Sequence, residues 1–328
     1  MTGESNPRLH GVLVTFQRPQ WVARTLESLA GQERRLDRLV IVDNANDRDT
    51  ESIVRQYPSA ADRIDYLGMA ENLGFTGGVE VGMRHSARRA EDADWIVVLD
   101  DDDLPPGPNV LQELETFGAE MVNRDPMTAC VGIGGGRFDW RRGRIRRVPD
   151  VDLRGAVPID YVGGNQFGFY RVEVVRRAGP FNGQLFFGLS EVEYGLRLRR
   201  AGYSLYGNGE LWHVARSQAG RLNADDDSPS RRLSPFRWKR YYTLRNMIYL
   251  LRMFDHPGTA LKVTLIRGLG KPLVNLMLSP ADSLVHLRMN MRACRDGWTN
   301  RMGRTVEPDA ISKRELQDRS TGVGGSKS

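Results

Sequence analysis

Four consecutive aspartates, Asp100 to Asp103, follow directly on the apolar run Trp95 to Leu99, and a Leu-Pro-Pro-Gly stretch closes the segment. Four adjacent carboxylates at the end of a buried strand repel one another unless a cation or a basic group neutralises them. In a D-x-D spacing they are hard oxygen ligands suited to Mg²⁺ or Mn²⁺. A solvated acidic turn is the plainer alternative, because aspartate favours turns. The hydrophobic strand in front and a second strand-end aspartate, Asp43, favour the metal reading. Magnesium keeps several waters and is commonly shared with phosphate oxygens, so a phosphorylated ligand is implied. A second stretch, "ENLGFTGGVEVGMR" (71–84), sets a glycine-rich turn before a helix, where backbone N–H groups can approach a phosphate or ribose. Taken alone, such a turn is as often plain.

The elements that must position these residues read as alternating strands and helices. "GVLVTF" (11–16) is a buried strand, and Pro19 opens a helix with Trp21, Val22, Thr25, Leu26 and Leu29 on its apolar face, ended by Gly31. "RLVIVDN" (38–44) is a strand, 50–57 a helix, 63–69 a strand and 77–90 a helix, before the strand that ends in the aspartates. Continuous rather than alternating apolar runs predict a parallel sheet covered on both faces. Ligands of such sheets sit outside the carboxyl ends of the strands. Thr15 to Arg18, Asp43 with Asn44, and Asp100 to Asp103 are therefore expected around one crevice.

Beyond residue 130 the pattern changes. An arginine-rich hairpin (137–148) turns at Gly143, a mixed segment covers 160–179, and a helix runs over 190–203 to Gly202. Arginines 141, 142, 144, 146 and 147 read first as a solvated face and otherwise as an attractor for a pyrophosphate-bearing or lipid-linked ligand. "RLNADDDSPSRR" (221–232) has a linker composition. "FRWKRYYTLRNMIYLLRMF" (236–254) is a basic amphipathic helix that would either pack on the preceding domain and support a homo-oligomer, or rest on an anionic membrane. Expected boundaries are 1–220 for the α/β domain that holds the crevice, 221–319 for a helical region and 320–328 for a disordered tail.

The chain has 328 residues, 40% of them hydrophobic and 27% charged, the balance of a folded globular protein. Two distant cysteines, Cys130 and Cys294, offer no disulfide framework or thiolate site and suit a reducing cytoplasm. No signal peptide and no membrane-spanning run is evident, so the expected location is cytoplasmic, with peripheral contact at the inner membrane face open. A net charge of +6 and a pI near 9.5 suit an anionic partner. Nucleic acid is disfavoured, since the positive charge is spread out and a nucleic-acid groove has no use for the aspartates.

"VLVTFQRPQWVARTLESLAGQ", "LVIVDNAN", "ENLGFTGG", "VVLDDDD", "SEVEYGLRLRRAGY" and "LWHV", in this order, resemble family 2 glycosyltransferases of the GT-A fold, in the rhamnosyl- and galactofuranosyltransferase-like branch. The likeness spans about residues 9 to 250. It implies an α/β fold with a Rossmann-like, mostly parallel twisted sheet flanked by helices, here with a C-terminal helical extension. It further implies a UDP- or dTDP-hexose donor, a divalent metal, and transfer with inversion to a glycan, lipid-linked or small-molecule acceptor.

Carried over by residue, the resemblance places Thr15, Gln17 and Arg18 beside the nucleotide and Asp43 on the base or ribose. Asn72, Gly74 and Gly78 would meet the ribose and diphosphate. Asp100 and Asp102 match the D-x-D pair around the donor-side Asp101, with Asp102 as the direct metal ligand and Asp103 as surplus. His213 of "LWHV" resembles an additional metal ligand, against the plain alternative of a packed core histidine. The family's acidic pair falls on Ser190 and Glu191, so Glu191 stands where aspartate is usual and becomes the expected general base. Glu193 is next, unless Ser190 and Glu193 form a capping box. Trp140, Asn165, Gln166 and Trp212 are candidates for the acceptor pocket, with core packing as the commoner role of such aromatics. A nucleotidyltransferase is the enzymatic alternative, disfavoured by the absence of glycine in "TFQRPQW". An inactive sugar-nucleotide-binding module is the other.

Overall fold

The computed structural model describes residues 6–58, 63–102, 104–164, 166–223, 237–270 and 280–308. An eight-stranded sheet forms the centre, in the order β3-β2-β1-β4-β10-β5-β11-β8. Its first half is parallel: β1 (Leu9–Thr15) lies between β2 (Arg38–Asp43) and β4 (Trp95–Asp100), with β3 (Ile64–Gly68) outside β2. Every residue of β1 is buried, as expected of a strand covered on both faces. Helices α1 (Pro19–Ala30), α2 (Arg48–Gln56) and α3 (Gly74–Ala87) make the crossovers, and α4 (Val110–Arg124) follows β4. Gly78 and Gly82 let α3 lie directly on β1, since a Cβ at either would meet Val14 or Val12 at 2.6 or 2.3 Å.

The parallel run is interrupted beyond β4. Strand β10 (Gly168–Arg171) enters antiparallel between β4 and β5 (Thr128–Gly132). Strand β11 (Ser204–Asn208) then pairs parallel with β5, and β8 (Ala156–Pro158) closes the edge. The arginine-rich hairpin is β6 (Gly135–Asp139) and β7 (Arg144–Arg146), which with β9 (Tyr161–Val162) forms a second, three-stranded sheet. Gly143 makes the turn at φ +56°, and Arg141 and Arg142 are exposed. Helix α5 (Val172–Ala178) follows β10, α6 (Ser190–Arg200) carries the acidic pair, and α7 (Gly209–Gln218) follows β11.

The C-terminal region is α8 (Arg237–Met253), α9 (Pro257–Val263), a π-helical turn over Thr264–Gly270, and α10 (Pro280–Trp298). Helix α8 is not surface-lying. Tyr241, Tyr242, Met247, Ile248, Leu250 and Leu251 are buried, and so are Arg245 and Asn246. The apolar residues among them share a hydrophobic cluster with Phe138, Phe186, Val192 and Leu196, earlier in the chain. Burial on nearly every side is the mark of an internal helix, so packing accounts for this segment. No described helix is long and apolar enough to cross a membrane. Most of the expected linker and the expected tail lie outside the described residues.

Candidate active site

The carboxyl ends of β1 and β4 open into a cleft of about 560 Å³. Thr15, Gln17, Arg18, Asn44, Asn72, Gly74 and Asp100 to Asp102 line it together with Ser190 and Glu191. The expected convergence of strand ends on one crevice is therefore present.

The three described aspartates divide their work. Asp101 is buried; its Oδ2 accepts from Thr15 Oγ1 at 2.8 Å and its Oδ1 from Arg18 at 2.8 Å. Thr25 Oγ1 donates to its backbone carbonyl at 3.0 Å. Asp101 is thus the fastening of the strand end. Asp100 and Asp102 flank it, and one carboxylate oxygen from each of the three lies within 4.8 Å of the others. Asp102 also accepts from Arg18 at 2.9 Å. Desolvation, reinforced by the charges of Asp102 and Asp101, raises Asp100 to about 7, and Glu191 is near enough to add to the rise. Crowded hard oxygens that resist ionisation together fit a divalent cation, which relieves the repulsion. Asp103 lies outside the described residues.

The 72–76 turn is held from within. Asn72 Oδ1 accepts from Gly74 N at 2.8 Å, and Asn44 bridges Leu73 N and the Gly74 carbonyl. Gly74 sits at φ +71°, and a Cβ there would lie 2.2 Å from the Phe186 carbonyl oxygen; both facts require glycine.

Glu191 lies in the first turn of α6, half-buried, with Ser190 Oγ donating to its Oε2 at 2.9 Å. Gly164 makes room for it: a Cβ at 164 would sit 2.6 Å from Glu191 Oε1. Burial pushes its carboxyl up, partly opposed by the Ser190 hydrogen bond. The helix-terminal stabilisation of the ionised form is therefore outweighed by desolvation. Glu193, two residues on, points to the other side. It is buried and paired with Arg197 at 2.8 Å, and Arg197 Nη2 donates to the Pro180 carbonyl at 2.7 Å. Glu193 is a structural anchor outside the cleft lining. The capping box does not form either, because the N-cap is Leu189 in a left-handed conformation with no side-chain cap.

Other expected residues are placed elsewhere. Asp43 is fully buried and internally satisfied: Oδ1 accepts from Ala45 N, and Oδ2 from Asp47 N and the Tyr66 hydroxyl. Its neighbour Asn44 lines the cleft instead. Gly78 serves helix–strand packing. His213 is exposed on α7 and is not part of the acidic cluster. Trp212 anchors that helix in the core against Gly134 and Gly207, and one residue further round the helix faces solvent. Trp140 stacks on His256 at 4.5 Å and packs edge-on to Phe138. Neither tryptophan, nor Gln166, lines the cleft; Asn165 lies outside the described residues.

Sequence reasoning missed the rest of the lining. Trp21, Phe186, Phe187, Trp238, Lys239, Arg304 and Glu307 also line the cleft. Phe187 and Trp238 meet edge to face at 4.8 Å, with Lys239 Nζ over both rings. The signal was available in "RWK" at the start of α8, where an aromatic and two cations exceed what one buried helix face needs.

Comparison with known proteins identifies the family and the fold. The family model Glycosyl transferase family 2 matches residues 12–172. Galactofuranosyltransferase GlfT1 of Mycolicibacterium smegmatis is 29% identical over 268 residues, covering 75% of this chain and 83% of the relative. The Mycobacterium tuberculosis protein of the same name is 30% identical over 265 residues, with 75% and 82% covered. Among solved structures, GalNAc-T7 with UDP, GalNAc and Mn²⁺ aligns at a TM-score of 0.53 and 14% identity, over 76% of this chain and 48% of that one. Such a distant likeness speaks to the GT-A fold.

Proposed function

Since the chain belongs to glycosyl transferase family 2, in its galactofuranosyltransferase-like branch, we propose that it is an inverting, metal-dependent glycosyltransferase with Glu191 as its general base. The donor is a nucleoside-diphosphate sugar, UDP- or dTDP-linked, and the names of the relatives favour galactofuranose as the sugar moved. The acceptor is a glycan, lipid-linked or small-molecule hydroxyl.

One observation carries this reading: Glu191 lines the same cleft as Asp100 and Asp102, close enough for its charge to be felt at Asp100. Asp100 and Asp102 would hold Mg²⁺ or Mn²⁺, which supplies Lewis-acid stabilisation of the departing diphosphate. Thr15 and Arg18 keep the aspartates in place through Asp101. Asn72, Gly74 and Asn44 shape the donor side. Glu191 takes the proton from the acceptor hydroxyl as that oxygen attacks the anomeric carbon from the face opposite the leaving group, which inverts the centre. A carboxyl raised by burial lies nearer the operating pH, where a base works best. Cys130 and Cys294, free and buried, suit a reducing compartment on the cytoplasmic side.

The test is thermal stabilisation by UDP, dTDP and GDP sugars with and without Mn²⁺, for wild type and Asp102→Asn. A ligand bound only by the folded state raises Tm by mass action. A metal-dependent rise with one nucleotide class that disappears in the variant is expected. No rise with any donor would overturn the reading.

A further inference from the structure

We infer that Arg245 and Asn246, deep in the C-terminal helix α8, are positioning residues that hold the cleft loop 183–189 and thereby aim Glu191. The inference rests on Glu191 as the base. It assigns to the helical extension a part in the reaction beyond packing.

The loop is irregular at the point where the cleft needs it. After the 3₁₀ turn Gly183–Leu185, Phe186, Gly188 and Leu189 lie at φ +60°, +75° and +62°. A positive φ at Phe or Leu is unfavourable and persists only when the surroundings impose it. The residue after Leu189 begins α6, so this backbone sets where Ser190 and Glu191 point. The loop also touches the donor side, since the Phe186 carbonyl accepts from Thr76 N at 3.3 Å.

What imposes the conformation is a side-chain pair with no exposure at all. Asn246 Nδ2 lies 3.1, 2.9 and 2.8 Å from the carbonyl oxygens of Leu185, Phe187 and Gly188. Arg245 Nε donates to Asn246 Oδ1 at 2.9 Å. That bond fixes the amide orientation, turning the NH₂ group toward the loop. A second guanidinium nitrogen donates to the Leu185 carbonyl at 2.9 Å, and the third reaches the Gly303 carbonyl at 2.8 Å and Thr305 Oγ1 at 3.1 Å. Gly303 N in turn donates to the Gln184 carbonyl at 2.7 Å. The guanidinium also stands over the Tyr242 ring at 4.7 Å. Burying a cation is costly unless its donors are used, and here they are spent on the loop and on the 303–305 segment that leads to Arg304 in the cleft. A helix that needed only to pack would serve as well with apolar residues at both positions.

The test uses the full chain and the variant Asn246→Ala. Backbone amide exchange in 183–189 and at Gly303 reports the loop, UDP with Mn²⁺ reports the donor site by thermal shift, and transfer from UDP-galactofuranose to a panel of octyl glycosides reports the chemistry. Expected are faster exchange in the loop, an unchanged UDP–Mn²⁺ shift and donor KM, and a kcat lowered about 10²-fold, as a base displaced by an ångström would give. Unchanged exchange, or a loosened loop with full kcat, overturns the inference. Parallel loss of donor binding also overturns it, because the pair would then serve the donor site through the Phe186 contact with Thr76 and not the aim of Glu191. If Asn246→Ala does not fold, Gly188→Ala perturbs the same loop through its φ alone, since the added Cβ meets nothing closer than 3.5 Å, and the same outcomes apply. Glu191→Gln with full kcat would instead refute the base assignment, leaving the exchange result to judge the clamp.

Discussion

Replacing Asp100 by asparagine should stabilise the protein in the absence of metal, and do so only as pH rises. The Asp100 carboxyl is raised from 3.8 to about 7, first by desolvation and then by Asp102 and Asp101. The folded protein therefore keeps this proton to higher pH than the unfolded chain does. Stability falls as pH climbs from about 4 to 7, and the full cost is present above 7. At about 1.4 kcal/mol per pH unit the upper limit is about 4 kcal/mol, and partial solvent access reduces it to about 2–4 kcal/mol. With about 2.1 cal/mol/K of unfolding entropy per residue over 328 residues, such a change moves Tm by about 3–6 °C. Asparagine keeps an oxygen for the Asp101 N–H, now 3.0 Å from Asp100 Oδ1. The assay is Tm against pH in EDTA and in Mn²⁺. Expected are equal Tm values near pH 4, a variant higher by about 3–6 °C at pH 8 in EDTA, and a Mn²⁺ increment in wild type alone. A variant destabilised equally at both pH values, or one that gains as much from Mn²⁺, would refute the reasoning.

Three further outcomes follow from the placement of individual residues. Glu193→Ala should lower stability by about 2 kcal/mol, since it leaves Arg197 without its buried partner, while the UDP–Mn²⁺ thermal shift is retained. His213→Ala should leave both Tm and the Mn²⁺ increment unchanged within about 0.5 kcal/mol; loss of the increment would restore His213 as a ligand. Gly74→Ala should cost about 2 kcal/mol or more, because φ +71° and the Phe186 carbonyl both exclude a Cβ, and it should abolish the donor-dependent rise in Tm.

The donor half of the site was legible because its signals are local. A buried apolar run announces a parallel strand, and polar residues immediately after it fall at the sheet edge, which is how Thr15, Arg18 and Asp100 to Asp102 were found together. The same logic failed for Asp43, because whether a strand-end carboxylate faces ligand or protein depends on distant groups, here Tyr66 and the amides of 45 and 47. Glu191 and Glu193 are two apart on a helix, hence on different sides, and only the position of Arg197 decides which one is internal. His213 shares its motif with Trp212, but that tryptophan's burial turns the histidine outward. Strand β10 lies within the mixed segment 160–179, and its antiparallel insertion beside β4 has no local signature. The rest of the lining escaped because its residues come from α1, the 183–189 loop, α8 and residues 304–308, which are far apart in the sequence and meet only in the folded chain.

The most direct test of the account is the rate of sugar transfer by Glu191→Gln, measured under saturating donor and Mn²⁺ and set beside donor affinity in the same variant. Glutamine keeps the shape of the side chain and removes the base. The account predicts a fall of about 10²–10⁴-fold in kcat with the UDP–Mn²⁺ thermal shift intact. Transfer at the wild-type rate would contradict it.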